Sequence, residues 1–323
     1  MRTPELRVQQ QTDRHKGDGR DGTALATAAK LRACVLLSGV VRTTKLTSRL
    51  SRSLLDLPLD DNLSLLDLWR GEGAALAGEF DLGRMPLRVM VTAKSPRPML
   101  TPAENGIRVQ VETDPVEYRG TAGLLRDLAE DYEDDEFMLV VNGGQLLLRP
   151  LPELTGDLLR SEGDVRLVSH SDGTPTGILL VRCGALRAVP SVGFVDLKEQ
   201  ALPRIAENYR VTVMDVEGAT GLPIRTRADY LGALFYHHCR PEDEAGEAFA
   251  ERWQRTFCVV EEGAHVDDTA RIHNSVVLRG GWIEPGATVV NSVVCQGGRV
   301  ARGQTVIDRV VGRRGRANKR RDL

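Results

Sequence analysis

The 323-residue chain has no charge of one sign to spare, no paired cysteines and no long apolar run. Its 43 lysines and arginines stand against 45 aspartates and glutamates, a formal net charge of −2. No chain-wide field therefore draws it to nucleic acid, a membrane surface or a strongly charged partner. The five cysteines, Cys34, Cys183, Cys239, Cys258 and Cys295, are widely spaced and contain no Cys-x-x-Cys pair. That removes the common zinc and redox-couple patterns and suits a reducing cytoplasm. No apolar run reaches the roughly 18 to 20 residues of a membrane span, and the first thirty residues are polar and charged rather than signal-like. A soluble, cytoplasmic protein with no membrane partner is expected.

The length is enough for about two domains. Residues 1–30 are rich in Gln, Asp, Arg, Lys and Gly without apolar periodicity, so a disordered N-terminal tail is expected there. The body opens on Leu31-Arg-Ala-Cys-Val-Leu-Leu37, a short apolar run before Ser38-Gly39, which suits a strand buried on both faces. Similar runs at Leu87–Thr92, Phe137–Val141 and Gly177–Val181 alternate with helical patterns such as Leu63–Trp69 and Gly123–Tyr132. That alternation predicts an α/β domain with a mostly parallel sheet over residues 31–237. A connecting helix or linker is expected over 238–257.

From Val260 the period changes. Val266, Ile272, Leu278, Ile283, Val289, Cys295, Val300 and Val306 follow at six-residue steps with two steps of five, and Gly263, Gly280, Gly281, Gly286, Gly297, Gly298 and Gly303 lie between. A hexapeptide repeat of this kind winds short strands into a triangular coil with small or β-branched side chains inside. The spacing predicts a short left-handed β-helix over 258–311, of between two and three coils. Residues 312–323 place six cations within ten residues and read as a disordered basic tail, solubilising in the common case, with weak binding to nucleic acid or to an acidic partner as its electrostatic uses.

Five segments then carry a resemblance. Glu112, Arg119-Gly-Thr-Ala-Gly123, a helix, and Asp135-Glu-Phe-Met-Leu-Val-Val-Asn-Gly143 resemble the central part of the sugar-nucleotide pyrophosphorylases, nucleotidyltransferases that include mannose-1-phosphate guanylyltransferases. Leu37-Ser-Gly-Val-Val-Arg-Thr-Thr-Lys-Leu46 is similar to that family's Gly-rich loop, and Arg52-Ser-Leu-Leu55 to its K-P-L-L element. Gly193-Phe-Val-Asp-Leu-Lys-Glu-Gln-Ala-Leu-Pro-Arg-Ile205 resembles its F-x-x-D…L-P stretch, and Arg225-Thr-Arg-Ala-Asp-Tyr-Leu231 its G-T-P-E-D-Y-L ending. With the repeats, the likeness runs over residues 31–310.

The resemblance implies a Rossmann-like nucleotidyltransferase fold and attack by a sugar 1-phosphate on a nucleoside triphosphate, with magnesium held by aspartates organising the phosphates. Here the acids are missing. The family's N-G-D ligand falls on Asn142-Gly143-Gly144, and its second acid falls on Pro223 of Pro223-Ile-Arg-Thr-Arg227. Glycine and proline have no oxygen to offer a metal. The basic side is altered too: Ser38 and Val41 replace glycines, Arg52 replaces a lysine, and the sugar-phosphate lysine of an E-K-P element has no counterpart.

The expected protein is therefore a pseudoenzyme that binds a nucleotide or nucleotide-sugar, needs no cofactor, and acts as a regulatory or structural subunit, as a homo-oligomer or paired with an active relative. Its nucleotide-facing set is Gly39, Lys45, Gly120, Thr121, Ala122, Gly123 and Asn142. Asp196 and Lys198 are the sugar-side candidates, with a helix N-cap and a surface lysine as their bland reading. One alternative is an active transferase whose magnesium site is rebuilt from Asp135 and Glu136 or from Asp215 and Glu217, although preorganised ligands tolerate little displacement. The other is a coil that assembles without any ligand. His237, His238 and Cys239 lack a fourth ligand and read as a solvated helix. His265 and His273 resemble the catalytic histidines of β-helix acyltransferases, with too few coils to build their cleft.

Overall fold

The computed structural model describes residues 19–38, 46–47, 49–50, 52–83, 85–100, 107–114, 119–239 and 256–313. The chain divides into two compact units, Met1–Val40 with Asp67–Gly221, and Val41–Leu66 with Leu222–Leu323.

The first unit carries helix α1 (Gly19–Ala28), strand β1 (Leu31–Leu37), most of α2 (Leu65–Glu79), β2 (Leu87–Val91), β3 (Val109–Thr113), α3 (Gly120–Ala129), β4 (Phe137–Asn142), the short β5 (Gln145–Leu147), α4 (Leu151–Arg160), β6 (Val165–His170), β7 (Pro175–Arg182), α5 (Cys183–Leu186), α6 (Leu202–Ile205) and β8 (Val211–Val216). Seven strands form one mixed sheet in the order β3-β2-β1-β4-β7-β6-β8. All neighbours run parallel except β7, which is antiparallel to both β4 and β6. The exception has a local cause. Ser171–Thr174 is a tight turn in which Asp172 accepts from the Thr174 amide at 2.8 Å and Gly173 sits at φ +79°, and so short a connection can only make a hairpin.

Alternation along β1 buries both faces of the sheet. Ala33 and Val35 join a core with Ala122, Leu125 and Ala129 of α3 and with Leu186 and Ile205, while Cys34 and Leu36 are equally buried on the opposite side. On that opposite side Arg166 of β6 donates to the Leu158 carbonyl near the end of α4 at 2.9 Å, beside the Ser161 hydroxyl that donates to the same oxygen. Helix α1 packs against α4. Its residues lie in the stretch expected to be a disordered tail. The Ala- and Thr-rich end of α1 buries Ala24, Thr27 and Ala28, so tertiary burial supplies what the local sequence lacked. Residues 1–18 lie outside the described residues.

The second unit carries β9 (Gly221–Pro223) from Leu222 onward, α7 (Arg227–His238), and ten short strands: β10 (Cys258–Val260), β11 (His265–Val266), β12 (Arg271–His273), β13 (Ser275–Val277), β14 (Trp282–Ile283), β15 (Thr288–Val290), β16 (Val293–Val294), β17 (Arg299–Val300), β18 (Thr305–Ile307) and β19 (Val310–Val311). The ten strands form three parallel sheets, β10-β13-β16-β19, β11-β14-β17 and β12-β15-β18, which the chain visits in rotation. Val260 pairs with Val277, Val266 with Ile283 and Ile272 with Val289, so each circuit takes 17 residues. Three full circuits and a tenth strand result, more than the two to three coils expected.

The interior is a column of Val277, Ile283, Ala287, Val289, Val294, Val300 and Val306. On one face this corrects the expected phase: Val277 and Val294 point inward, and Leu278 and Cys295 are buried outside the column. One corner of each coil is a left-handed residue that is not glycine, Asn274 (φ 44°), Asn291 (φ 45°) and Asp308 (φ 55°), residue types that tolerate this region best after glycine.

The outside of the β10-β13-β16-β19 sheet is apolar, with Val259, Val276, Val293 and Val310 all buried. Residues 46–66 and α7 belong to the same unit and supply its partners. Arg52 pairs with Glu261 at 2.5 Å, both side chains mostly buried, and Arg49 donates to the Val310 carbonyl. Tyr230 of α7 is fully buried and donates to the Pro58 carbonyl at 2.6 Å. His238 contacts the Leu59 carbonyl through Nε2 at 2.8 Å and stacks on Phe257 while remaining exposed. Residues 240–255, most of the expected linker, and 314–323, most of the basic tail, lie outside the described residues. Among the described residues no helix is long and apolar enough to cross a membrane.

Candidate nucleotide site

In the first unit the chain moves outward from β1 to β2 and β3, then returns through α3 to β4 on the other side of β1. Strand order reverses between β1 and β4. Crevices at the carboxyl ends of strands beside such a reversal are where open α/β sheets accept ligands. Leu37 and Asn142 stand in register at that edge, and the Gly143 amide donates to the Leu37 carbonyl at 2.9 Å.

The turn after β4 is held tightly. Asn142 Oδ1 accepts from the Gly144 amide at 3.0 Å, an Asx turn. Trp69, fully buried in α2, donates its indole N–H to the Gly143 carbonyl at 3.1 Å. A Cβ on Gly143 would stand 2.8 Å from Leu36, and one on Gly177 2.9 Å from Asn142 Cβ, so both glycines are required by close approach.

A second cluster forms at the start of α3. Gly120 has φ +70°, and a Cβ there would collide with the Val195 carbonyl and come 3.2 Å from the Phe194 ring. The Ala122 amide donates to the Val195 carbonyl at 3.3 Å and the Val195 amide to the Arg119 carbonyl at 2.9 Å. Two sequence segments predicted as site elements, 119–123 and 193–198, are thus fastened side by side. Their members differ in what they present. Gly120 and Thr121 are half-buried, whereas Ala122 and Gly123 are sealed into the core. Asp196 Oδ1 accepts from the Lys198 and Glu199 amides at 2.9 and 2.8 Å, so its carboxylate caps the turn Leu197–Ala201, and Lys198 is exposed. Gly39 and Lys45 lie outside the described residues.

Three of the four acids offered as substitute metal ligands have other partners, and the fourth, Glu217, is exposed. Asp135 pairs with Lys30 at 2.8 Å and Glu136 with Arg32, at the end of β4 opposite Asn142; these cations hold both carboxyls below the usual range. Asp215 accepts from Ser169 at 2.9 Å. Glu112, quoted above as the opening of the central segment, is gripped by both arms of Arg88 at 2.7 Å. In the second unit Pro223 is exposed, and Thr226 closes a capping box with Asp229, whose carboxylate takes the Thr226 amide at 2.8 Å. A family-like T-x-x-D is therefore a helix start here, a pattern readable from sequence by its spacing.

The residues at the β4 edge do not fit magnesium: one carboxamide already bonded to its own turn and two glycines supply no hard anionic oxygen. Among the described residues no group of three His, Cys, Asp or Glu side chains is placed to hold a metal. Two features carried no clear sequence signal. Trp69 reaches across 74 positions to Gly143, and Phe194 is 63% exposed on the loop against Gly120.

No family model matches the chain, and no curated protein matches it. Among solved structures it is similar to HddC from Yersinia pseudotuberculosis, at 13% identity and a TM-score of 0.46 over 63% of this chain and 98% of that one. HddC complexed with GMP-PN gives 13% and 0.44 over 63% and 98%. A Bacillus anthracis protein assigned as a glucose-1-phosphate thymidylyltransferase, in complex with sucrose, gives 10% and 0.47 over 63% and 94%. Similarity of this degree decides neither activity nor ligand.

Proposed function

We propose that this chain is a divergent relative of the sugar-nucleotide pyrophosphorylases that binds a nucleotide or nucleotide-sugar without transferring it, and serves as a regulatory or structural subunit. The second unit is read as a left-handed β-helix that assembles copies of the chain or joins it to an active relative. One observation supports the functional reading: Asn142-Gly143-Gly144 forms a turn at the carboxyl end of β4, beside the strand-order reversal, and contains no acid.

Gly120 and Thr121 offer backbone and hydroxyl groups at the start of α3, which follows β3. Strands β3 and β4 lie three places apart in the sheet, about 14 Å at the usual strand spacing. An extended ligand such as a nucleotide-sugar spans that edge, with Asn142 at one end. Transfer would need charge-organising groups whose single loss already slows related chemistry by about 10²- to 10³-fold, and several are absent together.

Incubation with sugar 1-phosphates, all four nucleoside triphosphates and magnesium is expected to release no pyrophosphate. Thermal-shift titration with nucleotide-sugars is expected to stabilise the first unit, by about 2.7 kcal/mol at 100 times the dissociation constant. Turnover abolished by chelator refutes the non-catalytic reading, and absence of any shift refutes binding.

A further inference from the structure

A second concave surface lies wholly inside the second unit. A cleft of about 660 Å³ is walled by the turn containing Leu46 and Arg49, by the start of α7 with Arg227, and by Ile307, Asp308 and Arg309 at the end of the third coil. That volume falls within the range of small-molecule sites.

Its charge is uneven. Three guanidinium groups face one carboxylate. Arg227 pairs with Asp308 at 2.9 Å and also donates to the Asn291 carbonyl, so this pair is internally neutral and fixed. Arg49 donates to the Val310 carbonyl, which anchors it and leaves further N–H groups of its five-donor fork to use. Arg309 is exposed, and its side chain has no hydrogen-bond or ion-pair partner among the described residues. Among the described residues two cations are thus left without a counter-charge. Beside them Ile307, 52% exposed, gives the cleft an apolar wall. The α7 terminus is not what attracts an anion, because its capping box with Asp229 is already closed.

Paired free cations next to an apolar wall suit a ligand with a compact multivalent anion at one end and a flat, weakly polar body at the other. Guanidinium forks match both carboxylate and phosphate oxygens bidentately, and of the two, phosphate carries the multivalent charge that two adjacent cations suit. We propose that this cleft is a binding site for a nucleoside diphosphate-type small molecule, with Arg49 and Arg309 on the phosphate oxygens and Ile307 against the base or sugar. This site is separate from the β1–β4 edge and does not depend on what that edge binds.

The full-length protein is titrated calorimetrically with ADP, GDP, UDP and inorganic pyrophosphate, alongside Arg309→Gln, Arg49→Gln/Arg309→Gln and Ile307→Ser. Arg309 and Ile307 are exposed, so these single variants should melt like the parent. At least one nucleoside diphosphate is expected to bind, about 10-fold more weakly in Arg309→Gln and below detection in the double variant, as loss of charged hydrogen bonds of this class implies. Ile307→Ser should weaken the nucleotide several-fold and leave pyrophosphate unchanged. No binding of any probe overturns the proposal. So does nucleotide binding indifferent to all three variants, which assigns it to another site. If Arg309→Gln abolishes binding of single-stranded RNA while nucleotide binding is unmoved, the cleft is part of a nucleic-acid surface and the proposal is again overturned.

Discussion

In the coil each interior side chain is answered by another 17 residues along, Val266 by Ile283 and Ile283 by Val300. In the sheet unit, Leu37 of β1 lies between Met90 of β2 and Asn142 of β4. One region is built from near neighbours and the other from distant ones. The coil therefore stands on many similar small contacts, whereas the β1–β4 edge of the sheet unit depends on a few turns in which glycine is required by close approach.

The largest expected effect separates the two regions. Val289→Asp puts an unpaired carboxylate into the valine column, fully buried between Ile272 and Val306, and should cost about 4 kcal/mol or more. Hydrogen exchange should then show lost protection across 265–307 while β1 and β4 keep theirs. Equal loss in both regions would break the comparison. Next in size, Arg52→Leu leaves the mostly buried Glu261 with the Arg279 amide but without its ion partner and should cost about 3 kcal/mol, with Glu261→Leu in the same chain recovering part of it. Urea unfolding of the single and double variants measures this, and it tests whether residues 46–66 are part of the coil's own structure.

Gly120→Val combines a positive φ with a collision against the Val195 carbonyl and should cost about 2 kcal/mol or more. Gly193→Ala, at φ +93° with open space around it, should cost about 1 kcal/mol, and the gap between the two measures the fastening of the 190–195 loop to α3. Trp69→Phe removes one buried hydrogen bond to Gly143, about 1 kcal/mol or somewhat more by denaturant titration.

Cysteine labelling gives the smallest and most local readout. Burial pushes the Cys34 and Cys183 thiols up to about 12 and Cys295 up to about 11, from an ordinary value of 9.0. Because the folded values are raised, the stability tied to the neutral thiols is complete below about pH 9 and declines as pH rises toward 11–12. At pH 8 none of the three should react in the native protein. Partial denaturation should expose Cys295 together with the coil and Cys34 and Cys183 together with the sheet.

How far the sequence was legible follows the same division. The six-residue spacing from Val266 to Val306 disclosed the coil because each position repeats locally. It misplaced the column at Leu278 and Cys295, since apolar residues sit on both sides of that face and one side is covered by residues more than two hundred positions away. In the sheet unit β1, β2, β4 and β7 were visible as apolar runs. Strand β3, with half-buried Val109–Thr113, offered no such run. At the site, Gly120 and Asn142 were legible as turn residues, but the anchoring of Gly143 by Trp69 and of Gly120 by Val195 is purely tertiary. Asp196 and Thr226 turned out to end in caps, a local chemistry that their spacing to the next amides already encoded.

We propose that the β4 edge holds a nucleotide-sugar without a carboxylate to anchor a divalent ion there. The most direct test is calorimetric titration of nucleotide-sugars into the full-length protein with magnesium present and then with EDTA, with pyrophosphate assayed in parallel samples given sugar 1-phosphates and nucleoside triphosphates. Saturable binding of the same strength in both conditions and no pyrophosphate are expected. Binding that requires magnesium, accompanied by pyrophosphate release that EDTA stops, would contradict it.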